Sequence, residues 1–163
     1  QVIPREAFAK VIDTALSARR NEDFCIIARS DAKVAEGVEG VIERLKLYAE
    51  HGAHAVMVGD FYTLEEFARI SAAVPVPLIS VAADKDHFDL QPDYTIDEWR
   101  QVGVRMALYW HLPLFAALQA VRDAVNVLKN DGSTEKLSDR IAGYKEYAEV
   151  TNLEEWMRLD ENQ

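Results

Sequence analysis

Phe24-Cys25-Ile26-Ile27-Ala28-Arg29-Ser30-Asp31-Ala32 is the stretch on which the fold turns. Five apolar residues run unbroken to Ala28, and Arg29 and Asp31 follow at once. An apolar run of this length predicts a strand over 24–29 buried on both faces, as in a parallel sheet. Charge at the carboxyl end of such a strand is where α/β folds keep their chemistry. Arg29 then has two readings. It is a salt bridge that secures a strand end, or a planar guanidinium fork aimed at a carboxylate or phosphoryl group. Cys25, the one cysteine of the chain, falls within the run and is expected to be a small buried hydrophobe.

Outward from this stretch the same pattern recurs. Upstream, Pro4 reads as the first helical position, with Phe8, Val11, Ile12, Ala15 and Leu16 at helical spacing; Asn21-Glu22-Asp23 closes that helix. Downstream, Val38, Val41, Ile42, Leu45 and Tyr48 step by three and four, predicting a helix from Glu36 to His51 with Gly52 at its C-terminal cap. A second strand is expected over 55–59, ending at Gly59-Asp60. Thr63 with Glu66 makes a capping box for the next helix. A third strand is expected over 76–81, followed by a long polar loop from Asp84 to Tyr94, the best candidate for a lid. A short helix over 95–101 leads to a fourth strand over 104–109 and a long apolar helix from Leu112 to Lys129. Two further helices are predicted, Glu135 to Val150 and one from Leu153 capped by Asn152. Strands alternating with helices at short spacing read as βαβ units and a parallel sheet. The division expected is a half-barrel of four βα units over 1–130 and a helical extension over 131–163.

Composition narrows the partners. The 163 residues carry 18 Lys plus Arg against 28 Asp plus Glu, a formal charge of −10. With no basic patch to neutralise phosphates, nucleic acid and anionic membranes are not expected partners. An anionic substrate has to be held by local positive charge against the overall field. No apolar stretch reaches the roughly 18 residues of a membrane span, and no secretory pattern opens the chain. The chain begins with Gln1 rather than Met and is expected to be processed or cut. It is also shorter than the roughly 200 residues of an ordinary eight-stranded barrel. A reducing, cytoplasmic setting is the default for a single cysteine. Neither a dinucleotide fingerprint nor a phosphate-binding glycine loop is present, and no closely spaced Cys or His pair suits zinc.

In a parallel barrel or half-barrel the carboxyl ends of the strands share one rim. Here they carry Arg29, Ser30 and Asp31; Gly59 and Asp60; Ala82, Ala83 and Asp84; and Tyr109, Trp110 and His111. His111 is either a titrating imidazole of the site or a capping histidine before the next helix. Trp110 beside it is the tryptophan to keep as a pocket wall; Trp99 and Trp156 read as packing. His51 and His54 read as structural or solvated, and His87 in the polar loop reads either as a site residue or, the favoured reading, as solvated. Asp31 and Asp60 either serve the site or cap the following turns.

These residues resemble the isocitrate lyase and phosphoenolpyruvate mutase superfamily. Phe24 to Ala32 is similar to its strand-five motif, whose common form is Ala-Arg-Thr-Asp-Ala. Ile42 to Ala53 resembles the helix that follows, and Val76-Pro77-Leu78 and Gly103-Val104-Arg105-Met106 fit strands seven and eight. Lys136 to Tyr147 looks like the tail of the mutase branch. The resemblance implies the carboxyl-terminal half of a TIM (β/α)8 barrel, a Mg2+ ion, and reactions beside a 2-oxo acid that pass through an enolate. Its substrates are small anions of the oxaloacetate or phosphonopyruvate class. By that resemblance Arg29 and His111 are the catalytic candidates. Arg29, Ser30, Asp31, Trp110 and His111 are the substrate-binding ones. Arg29 matches the family's anion ligand, and His111 falls where the mutase branch has Asn and decarboxylase-like relatives have His.

The departures are informative. Gly59 stands where lyases have Glu and mutases His, and Val81 where methylisocitrate lyases have Asn. The family's metal-binding aspartates and mobile catalytic loop lie upstream of the strands found here, so the Mg2+ ligands are not expected in this chain. Its terminal helices exchange between subunits, which implies a homo-oligomer, a dimer or tetramer. Two functions are carried forward: a Mg2+-dependent C–C lyase or phosphonomutase-type enzyme when the barrel is complete, and a non-catalytic, self-associating half-barrel that at most binds small anions.

Overall fold

The computed structural model describes residues 2–160. Its elements are α1 (Arg5–Ala18), β1 (Ile27–Ser30), α2 (Lys33–Glu50), β2 (Ala55–Val58), α3 (Leu64–Ala73), β3 (Leu78–Val81), α4 (Ile96–Gln101), β4 (Val104–Leu108), α5 (Leu112–Asp131), a 3-10 turn (Glu135–Leu137), α6 (Tyr144–Val150) and α7 (Leu153–Asp160). The four strands form one parallel sheet in the order β1-β2-β3-β4. The alternation of helix and strand read from the sequence is therefore present, as an α/β fold of successive parallel units. Among the described residues no helix is long and apolar enough to cross a membrane. The chain separates into two compact units, Gln1–Pro113 and Leu114–Gln163.

In the first unit, register explains the core. Ala28, Val56, Leu78 and Val104 are aligned across the sheet, and all four are buried. They pack with Val41, Leu45 and Tyr48 of α2 and Phe67 and Ile70 of α3 in one apolar cluster. The next row, Arg29, Met57, Ile79 and Met106, points to the other face. One extra residue in β4, Arg105, breaks register between the two rows and forms a bulge. On that second face Ile27, Met106 and Leu108 are exposed.

β1 departs from expectation. It begins at Ile27 rather than Phe24, and its burial alternates: Ala28 and Ser30 are buried, while Ile27 and Arg29 are not. Among the described residues β1 pairs with β2 alone, and the apolar cluster lies on one of its faces. Turn chemistry overrides the apolar run before it. The Asn21 side chain accepts from the Asp23 N–H at 2.8 Å, and the Asn21 carbonyl from the Phe24 N–H at 3.1 Å. Phe24 and Cys25 are consequently exposed, so Cys25 is not the buried hydrophobe expected.

Helix ends follow local chemistry closely. Both Thr63 with Glu66 and Thr95 with Glu98 form complete capping boxes. Pro4 is the cap of α1 and Arg5 its first residue, one position later than read. α2 starts at Lys33, earlier than Glu36, and breaks at Gly37, whose φ of 68° only glycine adopts without strain. Gly52 (φ 91°) closes α2 as expected.

In the second unit α5 carries Leu114, Phe115, Leu118, Val121, Val125 and Leu128 at the surface. The helix expected from Glu135 is interrupted. Leu137, buried, accepts from the N–H groups of Arg140 and Ile141 and turns the chain before Gly143 precedes α6. Asn152 sits between α6 and α7 with φ 52°, the left-handed conformation Asn tolerates, rather than the extended backbone of an N-cap.

Candidate functional site

All the strand ends of the rim lie in the first unit. At the β1 end, Arg29 folds onto Asp31: Nε donates to Oδ1 at 2.9 Å and to Oδ2 at 3.1 Å. Both side chains are half-exposed. The hydrogen bond to Asp31 holds the Arg29 guanidinium above its ordinary value, so its charge is permanent. With Asp31 on the Nε edge, neither terminal nitrogen of Arg29 makes a hydrogen bond among the described residues. That leaves the Nη1/Nη2 edge, the geometry that takes a carboxylate or phosphoryl group in bidentate fashion.

The pair has room because of Gly59. A Cβ at that position would overlap Arg29 Nη2 and Asp31 Oδ1 and lie 2.6 Å from Arg29 Cζ. This close approach of a side chain to backbone is a reason for glycine independent of its φ. The departure noted at Gly59 is thus the space in which Arg29 rests.

Ser30 does not join Arg29. It alternates to the buried face, and its hydroxyl has no hydrogen-bond partner there. Asp60, at the end of β2, is committed elsewhere. Its Oδ2 accepts from the Lys33 N–H at 2.9 Å and so caps the start of α2 across the chain. Lys33 in turn donates to the Phe61 carbonyl and to Glu66, both at 2.7 Å, and lies 4.4 Å over the Tyr62 ring. Burial raises the Glu66 carboxyl, but Lys33 and the Thr63 N–H outweigh it and keep it below the usual range. Burial, with Asp60 next, pushes the Tyr62 phenol well above its ordinary value, so it stays neutral.

The β3 and β4 ends form a second cluster. Asp84, 13 % exposed, accepts from His87 Nδ1 at 2.8 Å, from the Asp86 N–H at 3.0 Å and, through Oδ2, pairs with His111 Nδ1 at 3.0 Å. His87, then His111, hold the Asp84 carboxyl below its ordinary value. The Trp110 and His111 rings stack at 3.3 Å, and His87 lies 5.1 Å from the Phe61 ring. The sequence brought out His111 and Trp110 but missed Asp84 as the group that joins β4 to the loop. The spacing Asp84…His87 was the available signal. The far end of that loop is tied to the fold. Buried Gln91 donates to the Val81 carbonyl at 3.1 Å and accepts from the Tyr62 N–H at 3.2 Å, and the Tyr94 hydroxyl bonds the Tyr62 carbonyl.

Arg29 and His111 share the rim but not a contact surface. Their strands are the two edges of the sheet, three steps of about 4.8 Å apart. A ligand touching both has to bridge the rim. The strand-end carboxylates do not fit a metal: Asp31, Asp60 and Asp84 each have partners, and among the described residues no His, Cys, Asp or Glu group is arranged to hold an ion.

The chain is similar to known enzymes in sequence and in fold. 2-Methylisocitrate lyase of Escherichia coli (strain K12) is 32% identical over 152 residues, which cover 93% of this chain and 50% of the relative. Among solved structures, oxaloacetate acetylhydrolase in complex with the product oxalate superposes with a TM-score of 0.83 at 28% identity, covering 99% of this chain and 55% of that one. Phosphonopyruvate hydrolase in complex with oxalate and Mg++ gives 0.79 at 26% identity, covering 99% and 56%. The chain thus spans about half the length of the relatives it matches. The family model for phosphoenolpyruvate phosphomutase matches residues 1–129, and the chain belongs to that family, within the isocitrate lyase and phosphoenolpyruvate mutase superfamily.

Proposed function

We propose that the protein containing this chain is a Mg2+-dependent C–C lyase or phosphonomutase-type enzyme acting on a small 2-oxo acid through an enolate. The observation that carries this reading is Arg29: a half-exposed guanidinium at a strand end, braced on its Nε edge by Asp31, with no hydrogen bond from its terminal nitrogens among the described residues. An oxalate-sized dianion matches that edge, and oxalate is the ligand named for two of the solved relatives. Developing negative charge on an enolate is stabilised by such a fixed cation more than the ground state is. His111 supplies the polar contact at the other edge and Trp110 a wall beside it. Mg2+ would add Lewis-acid chemistry, and its ligands on this reading lie outside this chain. The protein works in a reducing, cytoplasmic setting.

The test is turnover of oxaloacetate and phosphonopyruvate with and without Mg2+. Turnover that requires Mg2+ and fails in Arg29→Ala supports the assignment; no turnover of either acid overturns it. The second reading, a self-associating half-barrel without catalysis, rests on the exposed face of Ile27, Met106 and Leu108 and on two sheet edges that want partners. It calls for an oligomer, and a monomer with turnover removes it.

A further inference from the structure

The loop after β3 carries an imidazole to which the activity proposed above gives no role. We propose that His87 is the second anion contact of the site: with Arg29 it holds a small dianion, and its Nε2 takes up a proton as that ligand binds. The inference rests on the 2-oxo-acid reading for its choice of ligand and deepens it, because it selects acids with two anionic groups.

Two observations set His87 on the same part of the rim as Arg29. The Arg29 guanidinium and the Asp31 carboxylate lie over Gly59, where a Cβ would be 2.6 Å from Arg29 Cζ. The His87 ring lies 5.1 Å from the Phe61 ring, tilted by 32°. Gly59 and Phe61 are two residues apart, at most about 7 Å of chain. The end of β2 therefore gathers a guanidinium from β1 and an imidazole from the loop after β3.

Charge gives the reason for a second contact. Around this end Arg29 and Lys33 face Asp31, Asp60 and Glu66, and Asp60 acts on the Arg29 charge as well. A dianion brought here meets a surplus of carboxylates, and the formal charge of −10 adds to that field. His87 supplies positive charge on demand. Its Nδ1 lies 2.8 Å from Asp84 Oδ1, and an ionised carboxylate only accepts, so Nδ1 carries the hydrogen. The neutral ring then keeps a lone pair at Nε2, which makes no hydrogen bond among the described residues, and the side chain is 45 % exposed. An anionic oxygen is repelled by that lone pair but accepts strongly from an Nε2–H. Binding therefore favours the imidazolium; the proton comes from the solvent, and no covalent bond of the ligand changes. The charged and titratable groups nearest the ring are Asp84, Lys85 and Asp86 on its own loop, Asp60 beside Phe61, and His111, which shares Asp84 through Oδ2. Asp84, held below its ordinary value by His87 and then His111, stays ionised and neutralises the new charge.

The probe is oxalate, titrated calorimetrically into the full protein at pH 8 with Mg2+ held constant, in two buffers of different ionisation enthalpy. Oxalate is fully ionised and an ordinary imidazole neutral at that pH, so the wild type is expected to take up about one proton on binding. In His87→Asn, whose amide keeps a donor for Asp84, the uptake disappears and oxalate affinity falls about tenfold. Should that variant fail to fold, 15N-histidine spectra of the wild type read the same event. The ring identified by nuclear Overhauser contacts to Phe61 passes from a lone pair to N–H at Nε2 when oxalate is added. Absence of oxalate binding, binding without proton uptake, or uptake that persists in His87→Asn and is lost in His111→Asn overturns the proposal, as does an unchanged Nε2 signal. A protein that binds oxalate with this uptake yet turns over neither acid breaks the lyase or mutase reading instead and leaves the dianion site standing.

Discussion

The two ends of the rim use the same chemical pieces in opposite ways. At β1 a carboxylate and a guanidinium meet in the open, each about half-exposed, and the cation keeps its outer edge for something else. At β3 and β4 a single shielded carboxylate gathers two imidazoles and a backbone N–H. The first arrangement leaves a charge available to a ligand. The second ties the loop after β3 to the end of β4. Exposure separates them: a half-exposed ion pair contributes about 0–1 kcal/mol to stability, so the protein has little to lose by redirecting Arg29 to a substrate.

The sharpest way to break the comparison is Arg29→Ala. If the open edge is the anion clamp, turnover of the 2-oxo acid falls by about 10²–10³-fold, and Arg29→Lys restores little because a point charge does not reproduce the fork. Steady-state kinetics on both variants decide it. Next comes Gly59→Ala. A methyl group there collides with the guanidinium, so Arg29 leaves Asp31 and oxalate binding weakens by about tenfold, measured by calorimetry, while thermal stability changes little. Equal oxalate affinity in this variant would show that the resting position of Arg29 is irrelevant.

Acid separates the two ends further. Asp84 has a folded pKa below its unfolded value of about 3.9, so it stabilises the folded state fully above that range. The contribution is lost as pH falls from there through the lower folded value. Hydrogen exchange in residues 84–90 is expected to rise over this window, and to lose the dependence in Asp84→Asn. The smallest effect belongs to Asp31→Ala: a change in stability within about 1 kcal/mol that shrinks further in salt, read from denaturant midpoints.

Much of this architecture was legible. The capping box at Thr63 and the end of α2 at Gly52 depend on near neighbours, and the four strands announce themselves by short apolar runs, although their pairing is long-range. What went unread depends on partners far along the chain. Phe24 and Cys25 looked like core because nothing local says that the strand beyond them is an edge. Ser30 looked like a neighbour of Arg29, yet the two-residue period of a strand sends it to the opposite face. Asp84 stood among the strand-end residues of the rim, but that it pairs with His111, 27 positions away, is set by the fold. Gly59 stood out only as a missing side chain; that its absence is filled by a guanidinium is a fact of three dimensions.

Gln91 divides the segment after β3 into two parts with different evolutionary freedom. Its buried amide ties the chain to the ends of β2 and β3, and closing a loop against a fixed point costs entropy that grows only with the logarithm of its length. Doubling the stretch between His87 and Gln91 adds about 0.6 kcal/mol, little enough for an insertion to survive. The same insertion between Gln91 and Tyr94 would pull apart two anchors at once. New recognition elements over this rim are therefore expected to arise ahead of Gln91, where length is nearly neutral.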